Sequence, residues 1–430
     1  MSGPKSELIA DLKWRGLIAQ STDEAALGAA LDKPITLYAG FDPSAPSCHV
    51  GHLVILTVLR RFQLAGHHPI ALVGGATGLV GDPSGKNEER VLNSGEIVKE
   101  WVDRIRVQVA QYLDFDSSKT NAAKVVNNLD WTEPLSAIEF LRDIGKHFSV
   151  NQMLAKESVS ARLAGGGISY TEFSYQVLQS LDFLELYRRF NCTLQLGGSD
   201  QWGNIVTGLD LIRRVEGGST HAMTVPLLMK SDGTKFGKTA GGSVWLDPTM
   251  TSPYAFFQYW LNTEDKDVIK FLKVFSFLSR SEIEELERLH LENPGARIAH
   301  RVLARELTTL VHSAQICSRV EAAAAALFGQ GELSDLDEET LESALAELPR
   351  ATILQGDQIP SWVDLLHAAG VVDSKSAARR IVRESGAYLN NQKISGEEFI
   401  PSVNDFIFGR FAVLRKGKRD LAAVEMLNKS

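Results

Sequence analysis

Two histidines lie three residues apart in the run GFDPSAPSCHVGH, Gly40 to His52. The run follows PITLYAGFD (Pro34–Asp42), which reads as a short buried strand. It precedes Leu53–Ala65, whose apolar Leu53, Leu56, Leu59 and Phe62 read as a buried helix stopped by Gly66 and Pro69. His49 and His52 thus stand at a helix N-terminus, where free backbone N–H groups and the helix dipole favour anions. Imidazoles placed there can donate hydrogen bonds to a phosphate as it gains charge. Gly51 leaves room for a flat base or ribose to approach the backbone. The plainer reading of this run alone is two histidines that cap a helix.

Four further stretches carry polar groups at usable spacing. SDGTKFGKTAGG holds Lys235, Lys238 and Thr239 among Gly233, Gly237, Gly241 and Gly242. Such a loop can close over a polyphosphate and release it again; by itself it also reads as a solvated basic loop. GGATGLVGDPSGK (Gly74–Lys86) is not a P-loop, because the glycine required five residues before Gly85-Lys86 is Val80. Its glycines are expected to let the backbone approach a small ligand, with Asp82 at the carboxyl edge of a sheet. In YTEFSYQVLQSLDFLELY (Tyr170–Tyr187), Tyr175, Gln179 and Asp182 fall at i, i+4 and i+7, one face of a helix. That stripe suits a pocket wall better than a core, although an exposed face is the alternative. LQLGGSDQWGN (Leu194–Asn204) reads as a strand leading into a turn with Asp200 and Gln201.

The elements that must position these groups are legible in outline. Strand, helix and the apolar run Ile70–Val73 form a βαβ unit, which implies a doubly wound parallel sheet. Strand–helix alternation continues to about residue 230. From Tyr254 to about Phe328 the pattern is helical, with Ser281 and Glu284 as an expected capping box. Residues Gly329–Pro349 read as an acidic linker with a short helix. The last 70 residues read as a small α+β module, with a basic helix at Lys375–Arg383, a turn at Asn390-Asn391 and a strand in Phe406–Leu414. The net charge of −8 is unevenly spread, since Ser361–Ser430 has 11 Lys/Arg against 8 Asp/Glu. Only the tail therefore has the balance that suits a phosphate backbone. Cys48, Cys192 and Cys317 form no disulfide framework or CxxC metal pair. With no signal core and no apolar stretch of the ~20 residues a bilayer requires, a cytoplasmic chain is expected.

Taken together, HVGH resembles the HIGH motif of the class I aminoacyl-tRNA synthetases, and KFGKT resembles their KMSKS loop. It departs from that consensus at Phe236, Gly237 and Thr239 but keeps both lysines. YAGFDPSAPSCHVGH, GGATGLVGDPSGK, FSYQVLQSLD and GGSDQWGN resemble the blocks of the bacterial tyrosyl enzymes in order and spacing, from about Leu31 to the chain end. The tail resembles their S4-like RNA-binding module.

The resemblance implies a Rossmann-like catalytic domain at 1–230, with a dimer-interface insertion at about 130–160. It further implies the KFGKT loop and an α-helical anticodon-arm domain at 231–330, an acidic linker at 331–360 and the S4-like domain at 361–430. It implies tyrosine binding by Tyr38, Asp82, Tyr175, Gln179, Asp182 and Gln201, with Tyr38 and Asp182 on the phenol hydroxyl. A hydroxyl both donates and accepts, so phenylalanine would leave both partners unpaired. Tyrosyl enzymes are themselves the standing example of such discrimination, about 10⁵-fold without editing. ATP contacts are implied for Gly40, Asp42, Gly51, Asp200, Lys235, Lys238 and Thr239. Catalytic roles fall to His49, His52, Lys235 and Lys238, with Lys86 and Arg90 as weaker pyrophosphate contacts. Transfer RNA contacts are implied for Lys375, Arg379, Arg380 and Arg383. Mg²⁺ travels with ATP, no resident metal or tightly bound cofactor is implied, and the family members are homodimers. The competing readings are the sister tryptophanyl enzyme, another nucleotidyltransferase of the HxGH type, and a non-catalytic RNA-binding relative.

Overall fold

Short apolar runs closed by glycine or proline build the first sheet. The computed structural model describes residues 6–84, 93–156, 159–160, 162–163, 167–234, 236–239, 242–417 and 420–428, with only the backbone of Ser6 and Thr239. These residues divide into two compact units, Met1–Met250 with Glu264–Ala299, and Thr251–Thr263 with His300–Ser430.

In the first unit, six strands lie in the order β1-β6-β5-β2-β3-β4. They are β1 (Gln20–Ser21), β2 (Thr36–Phe41), β3 (His68–Val73), β4 (Lys124–Asn127), β5 (Cys192–Gly198) and β6 (His221–Val225). All neighbours are parallel except β1, which runs antiparallel to β6. Parallel strands are covered on both faces, so Leu37–Ala39 and Ile70–Val73 are apolar throughout and buried, apart from the polar tip of Tyr38. The helices around the sheet include α1 (Ser6–Trp14), α2 (Val50–Leu64), α3 (Tyr170–Phe190), α4 (Trp202–Glu216) and α5 (Val268–Phe275). The chain passes from β2 through α2 to β3 and β4 on one side, then returns to lay β5 on the other side of β2. Strand order thus reverses between β2 and β5. In doubly wound sheets the crevice beyond the carboxyl ends at such a switch point is where ligands bind. The expected Rossmann-like parallel sheet is therefore present.

α2 is as apolar as its sequence required: Leu53, Leu56, Leu59 and Phe62 are all fully buried. α3 starts where the Ser169 hydroxyl accepts the Glu172 N–H, and ends at Asn191 in the left-handed region, φ 51°. Within the KFGKT stretch, β7 (Lys238–Thr239) pairs antiparallel with β8 (Gly242–Ser243). The expected capping box at Ser281 and Glu284 is wrong by two residues. Ser279 is the N-cap of the helix Arg280–Glu292, and Glu282 closes the box. The earlier start puts Leu278 before the cap and the fully buried Ile283 at N4, the spacing of a hydrophobic staple.

In the second unit, helices Pro253–Leu261, Ala314–Leu327 and Glu338–Ala346 bury Phe256, Trp260, Leu327 and Leu341. A second sheet runs β11-β10-β12-β13-β9. Its strands are β9 (Arg350–Leu354), β10 (Ala387–Leu389), β11 (Gln392–Lys393), β12 (Phe411–Lys416) and β13 (Asp420–Leu427). The basic helix α6 (Lys375–Arg383) has the expected ends. Asn390 and Asn391 take φ 45° and 66°, as a tight hairpin turn demands. Residues 331–360, expected as an acidic linker with a short helix, hold that helix, packed, and a strand. Leu333, Leu336, Leu341, Ala344 and Leu345 point inward while the acids occupy the outer face, and β9 pairs with β13. Acidic composition concealed a well-formed apolar stripe.

Candidate active site

The histidines stand at the start of α2, where they cap the helix. His49 is the N-cap: its Nδ1 accepts the Gly51 N–H at 3.0 Å. His52 Nδ1 in turn accepts the His49 N–H at 3.2 Å. Each ring therefore spends Nδ1 as an acceptor, which fixes the neutral tautomer with the proton on Nε2. The rings stack at 4.0 Å. Burial holds both imidazoles below the usual histidine range. Lys238 adds to this for His49, and His49 adds to it for His52. The pair is thus neutral and offers two Nε2–H donors at a positive helix end. A Cβ on Gly51 would fall 2.7 Å from His49 Cε1, so the missing side chain makes room for the His49 ring.

Beyond this turn, β2, β5 and α3 carry buried polar side chains. Tyr38 on β2 and Gln195 on β5 are register partners in the parallel ladder. Tyr38 Oη, Gln195 Oε1 and Gln179 Oε1 are all buried with no hydrogen-bond partner among the described residues. Burial and the nearby Asp182 push the Tyr38 hydroxyl up, so it stays a donor. Asp182, 2% exposed, accepts from Trp131 Nε1 and Asn128 Nδ2, each at 2.9 Å. Burial raises its carboxyl to about 7, partly offset by those two donors. A cluster of orphaned polar atoms beside a buried carboxylate is the signature of a site built for a polar ligand.

At the other end, Asp42 accepts from Tyr175 Oη at 2.6 Å and from Thr77 Oγ1 at 2.7 Å. Asp82 accepts from Gln201 Nε2 at 2.6 Å and from the Ser84 N–H at 2.9 Å. Burial, then Asp42, Asp82 and Asp182, push the Tyr175 hydroxyl well above its usual range. Burial, then Asp82, raise the Asp200 carboxyl. This negative end suits an ammonium group. Gly40 is exposed at the end of β2, and a Cβ there would meet only Leu72, at 3.9 Å, so a ligand can lie against it.

The glycines of GGATG do not serve ligand approach as expected. A Cβ on Gly74 would lie 2.1 Å from Asp42 Oδ1, on Gly75 2.3 Å from Asn127 Oδ1, and on Gly78 2.5 Å from Pro43. Protein side chains fill that space. Asn127, Asn128, Thr77, Trp131 and Gln195 were not foreseen. Asn128 links Ala76, Thr77 and Asp182 through one amide. The available signals were Asn-Asn-Leu-Asp-Trp directly after a strand, and a glutamine inside the apolar β5. Trp131, at the start of the stretch expected at a subunit interface, is buried against Asp182.

Among the remaining expected residues, Lys238 lies at the start of β7, close enough to bear on His49. Lys235, Lys86 and Arg90 lie outside the described residues, as does the Thr239 side chain. In the second unit, Lys375, Arg379, Arg380 and Arg383 are all exposed on α6. Carboxylates already pair three of them, at 2.5 Å for Lys375–Asp364, 3.9 Å for Arg380–Glu384 and 3.1 Å for Arg383–Glu397. No helix among the described residues is long and apolar enough to cross a membrane.

Comparison with known proteins agrees with this geometry. Residues 30–329 match the family of class I tRNA synthetases (W and Y), and residues 340–424 match the tyrosine–tRNA ligase SYY-like C-terminal domain. The tyrosine–tRNA ligase of Streptomyces coelicolor is 59% identical over 98% of this chain and 99% of its own. That of Streptomyces avermitilis is 58% identical over the same shares. A C-terminally truncated mitochondrial tyrosyl-tRNA synthetase of Aspergillus nidulans is similar in structure, with a TM-score of 0.68 and 29% identity over 75% of this chain and 94% of that one. With its parallel sheet, histidine pair, KFGKT stretch and C-terminal module in this order, the chain belongs to the class I aminoacyl-tRNA synthetases, in the tyrosine–tRNA ligase family.

Proposed function

We propose that the chain activates L-tyrosine with ATP to tyrosyl-adenylate and pyrophosphate, then transfers tyrosine to the 3′-terminal ribose of its tRNA. The observation that carries the choice of tyrosine is the buried Tyr38 hydroxyl, without a partner, beside the Asp182 carboxylate. A substrate phenol donates to Asp182 and accepts from Tyr38. Phenylalanine leaves both unpaired. Tyr175, Gln179 and Asp82 hold the ammonium end, Gln201 also lines the tyrosine site, and Gly40, Asp42, Gly51 and Asp200 face the nucleotide.

The tyrosine carboxylate is ionised at neutral pH, so activation needs no general base. It attacks the α-phosphorus of ATP, and the bond to pyrophosphate breaks. Positioning and fixed donors supply the catalysis as charge builds on the phosphate oxygens. The Nε2–H groups of His49 and His52 donate to those oxygens. Lys235, Lys238 and Thr239 supply cations and a hydroxyl, and Mg²⁺ accompanies ATP as part of the substrate. A ribose hydroxyl of the tRNA then attacks the adenylate carbonyl and AMP leaves.

The exposed arginines of α6 contact tRNA phosphates. Two chains associate through the segment that follows Trp131, a reading supported by the exposure of Ile138 (70%), Val150 (59%) and Leu141 (52%). The test is aminoacylation of unfractionated tRNA with each labelled amino acid in turn. Charging with tyrosine alone is expected; charging with tryptophan, or with none, overturns the reading.

A further inference from the structure

Phe236 is the one large apolar side chain in the motif SDGTKFGKTAGG, and its ring is not idle. It lies 4.9 Å from Phe271 and 5.5 Å from Phe275, stacked on the latter at 27°. Both belong to α5 and are buried, at 3% and 0% exposure. The seat is itself fixed at both ends. At its first turn, the carboxylate of the buried N-cap residue Asp267 accepts the Ser231 N–H at 2.9 Å, and Lys270 Nζ donates to the Met229 carbonyl at 3.0 Å. At its last turn, the Arg15 guanidinium donates to the carbonyls of Lys273, Ser276 and Leu278, at 3.0, 3.2 and 2.7 Å. Arg61 donates to Ser276 as well, at 2.5 Å. Cations at a helix C-terminus satisfy its open carbonyls and its dipole.

On the other flank of Phe236 the backbone presses on α2. Gly237 has φ +78°, and a Cβ there would come 2.8 Å from Val50 Cγ2. Its carbonyl accepts the Val244 N–H at 2.9 Å, and the Val244 carbonyl accepts the Val50 N–H at 3.0 Å. Lys238, whose side chain is exposed, is therefore delivered to His49 by a two-point mount: an aromatic ring in a fixed seat and a glycine against the histidine helix.

We propose that Phe236 is a positioning residue of tyrosine activation, its ring in the Phe271–Phe275 seat holding Lys238 against the His49 turn. The proposal rests on the reading of the function given above. An exposed lysine gains little from geometry unless its backbone is held, because the stem of its side chain is flexible. A small misplacement of a charge-stabilising group acts on the rate of the chemical step rather than on ground-state substrate binding.

The experiment compares Phe236→Ala and Phe236→Leu with the unmutated chain in tyrosine-dependent ATP–pyrophosphate exchange. Tyrosine affinity by calorimetry and the melting temperature are measured alongside. Phe236→Ala is expected to lower kcat by roughly ten- to a hundredfold, with tyrosine affinity and melting temperature held, and Phe236→Leu to recover most of the loss. An unchanged kcat in Phe236→Ala overturns the proposal. A parallel fall in melting temperature and tyrosine affinity also overturns it, because the ring is then mere packing. Absence of exchange in the unmutated chain would instead strike the reading of the function, and this proposal with it.

Discussion

Replacing Tyr38 by phenylalanine should stabilise the ligand-free protein while weakening its grip on tyrosine. The Tyr38 hydroxyl is buried, unpartnered and kept protonated. A buried polar group left unsatisfied costs about 1–3 kcal/mol. Tyr38→Phe removes that penalty and leaves the ring, which packs 5.3 Å from Phe183, in place. The melting temperature should rise, by about 2–4 °C for each kcal/mol gained in a domain of this order. The same change deletes one neutral hydrogen bond to the bound phenol, about 0.5–1.5 kcal/mol, which is roughly a two- to twelvefold loss in tyrosine affinity. Phenylalanine offers no hydroxyl, so its weak binding should not change, and discrimination should shrink by the same factor. Thermal shift of the ligand-free chain and kcat/KM for both amino acids in pyrophosphate exchange read the two effects. A variant that is less stable, or that discriminates as well as before, would refute the reasoning that this hydroxyl waits for the substrate.

Three further outcomes follow from the site. Burial raises the Asp182 carboxyl to about 7, and the phenol needs the ionised form as acceptor. Tyrosine affinity should therefore fall as pH drops below 7, approaching about tenfold per unit, with proton release on binding near neutrality; calorimetry in buffers of different ionisation enthalpy would expose a flat profile as a contradiction. Gly51→Ala forces a Cβ to within 2.7 Å of the His49 ring. It should cost about 0.5–2 kcal/mol through the lost cap and depress exchange more than tyrosine binding; full activity would show that the His49 geometry is dispensable. Joint replacement of Arg379 and Arg380 by alanine should weaken tRNA binding across sequences and flatten its salt dependence by about 1–2 in log–log slope. An unchanged slope would remove α6 from the RNA contact.

What could be read from sequence was whatever local spacing encodes. His49 and His52 sit at a helix start because a strand ends before them and an apolar period begins after them. Tyr175, Gln179 and Asp182 share a face because 3.6 residues make a turn. What could not be read arrives through tertiary contact. Asn128 and Trp131 reach Asp182 across more than 50 positions of chain, and neither position shows a period or spacing that marks it. The glycines of GGATG were misjudged for the same reason: their open space is filled by Asp42, Asn127 and Pro43, and only the fold brings those residues there. The capping box failed differently, since Ser279 and Ser281 each have a glutamate three residues on. Burial of Ile283 at the first apolar position after the cap decides between them.

The site should select and activate tyrosine before any tRNA is present. ATP–pyrophosphate exchange without tRNA, run separately with each of the standard amino acids, decides this. Exchange is expected with tyrosine, and none of comparable rate with phenylalanine or tryptophan. Exchange driven by tryptophan would mean that Tyr38 and Asp182 frame a different ring, and no exchange with any amino acid would mean that the histidine turn and KFGKT stretch do not carry out activation.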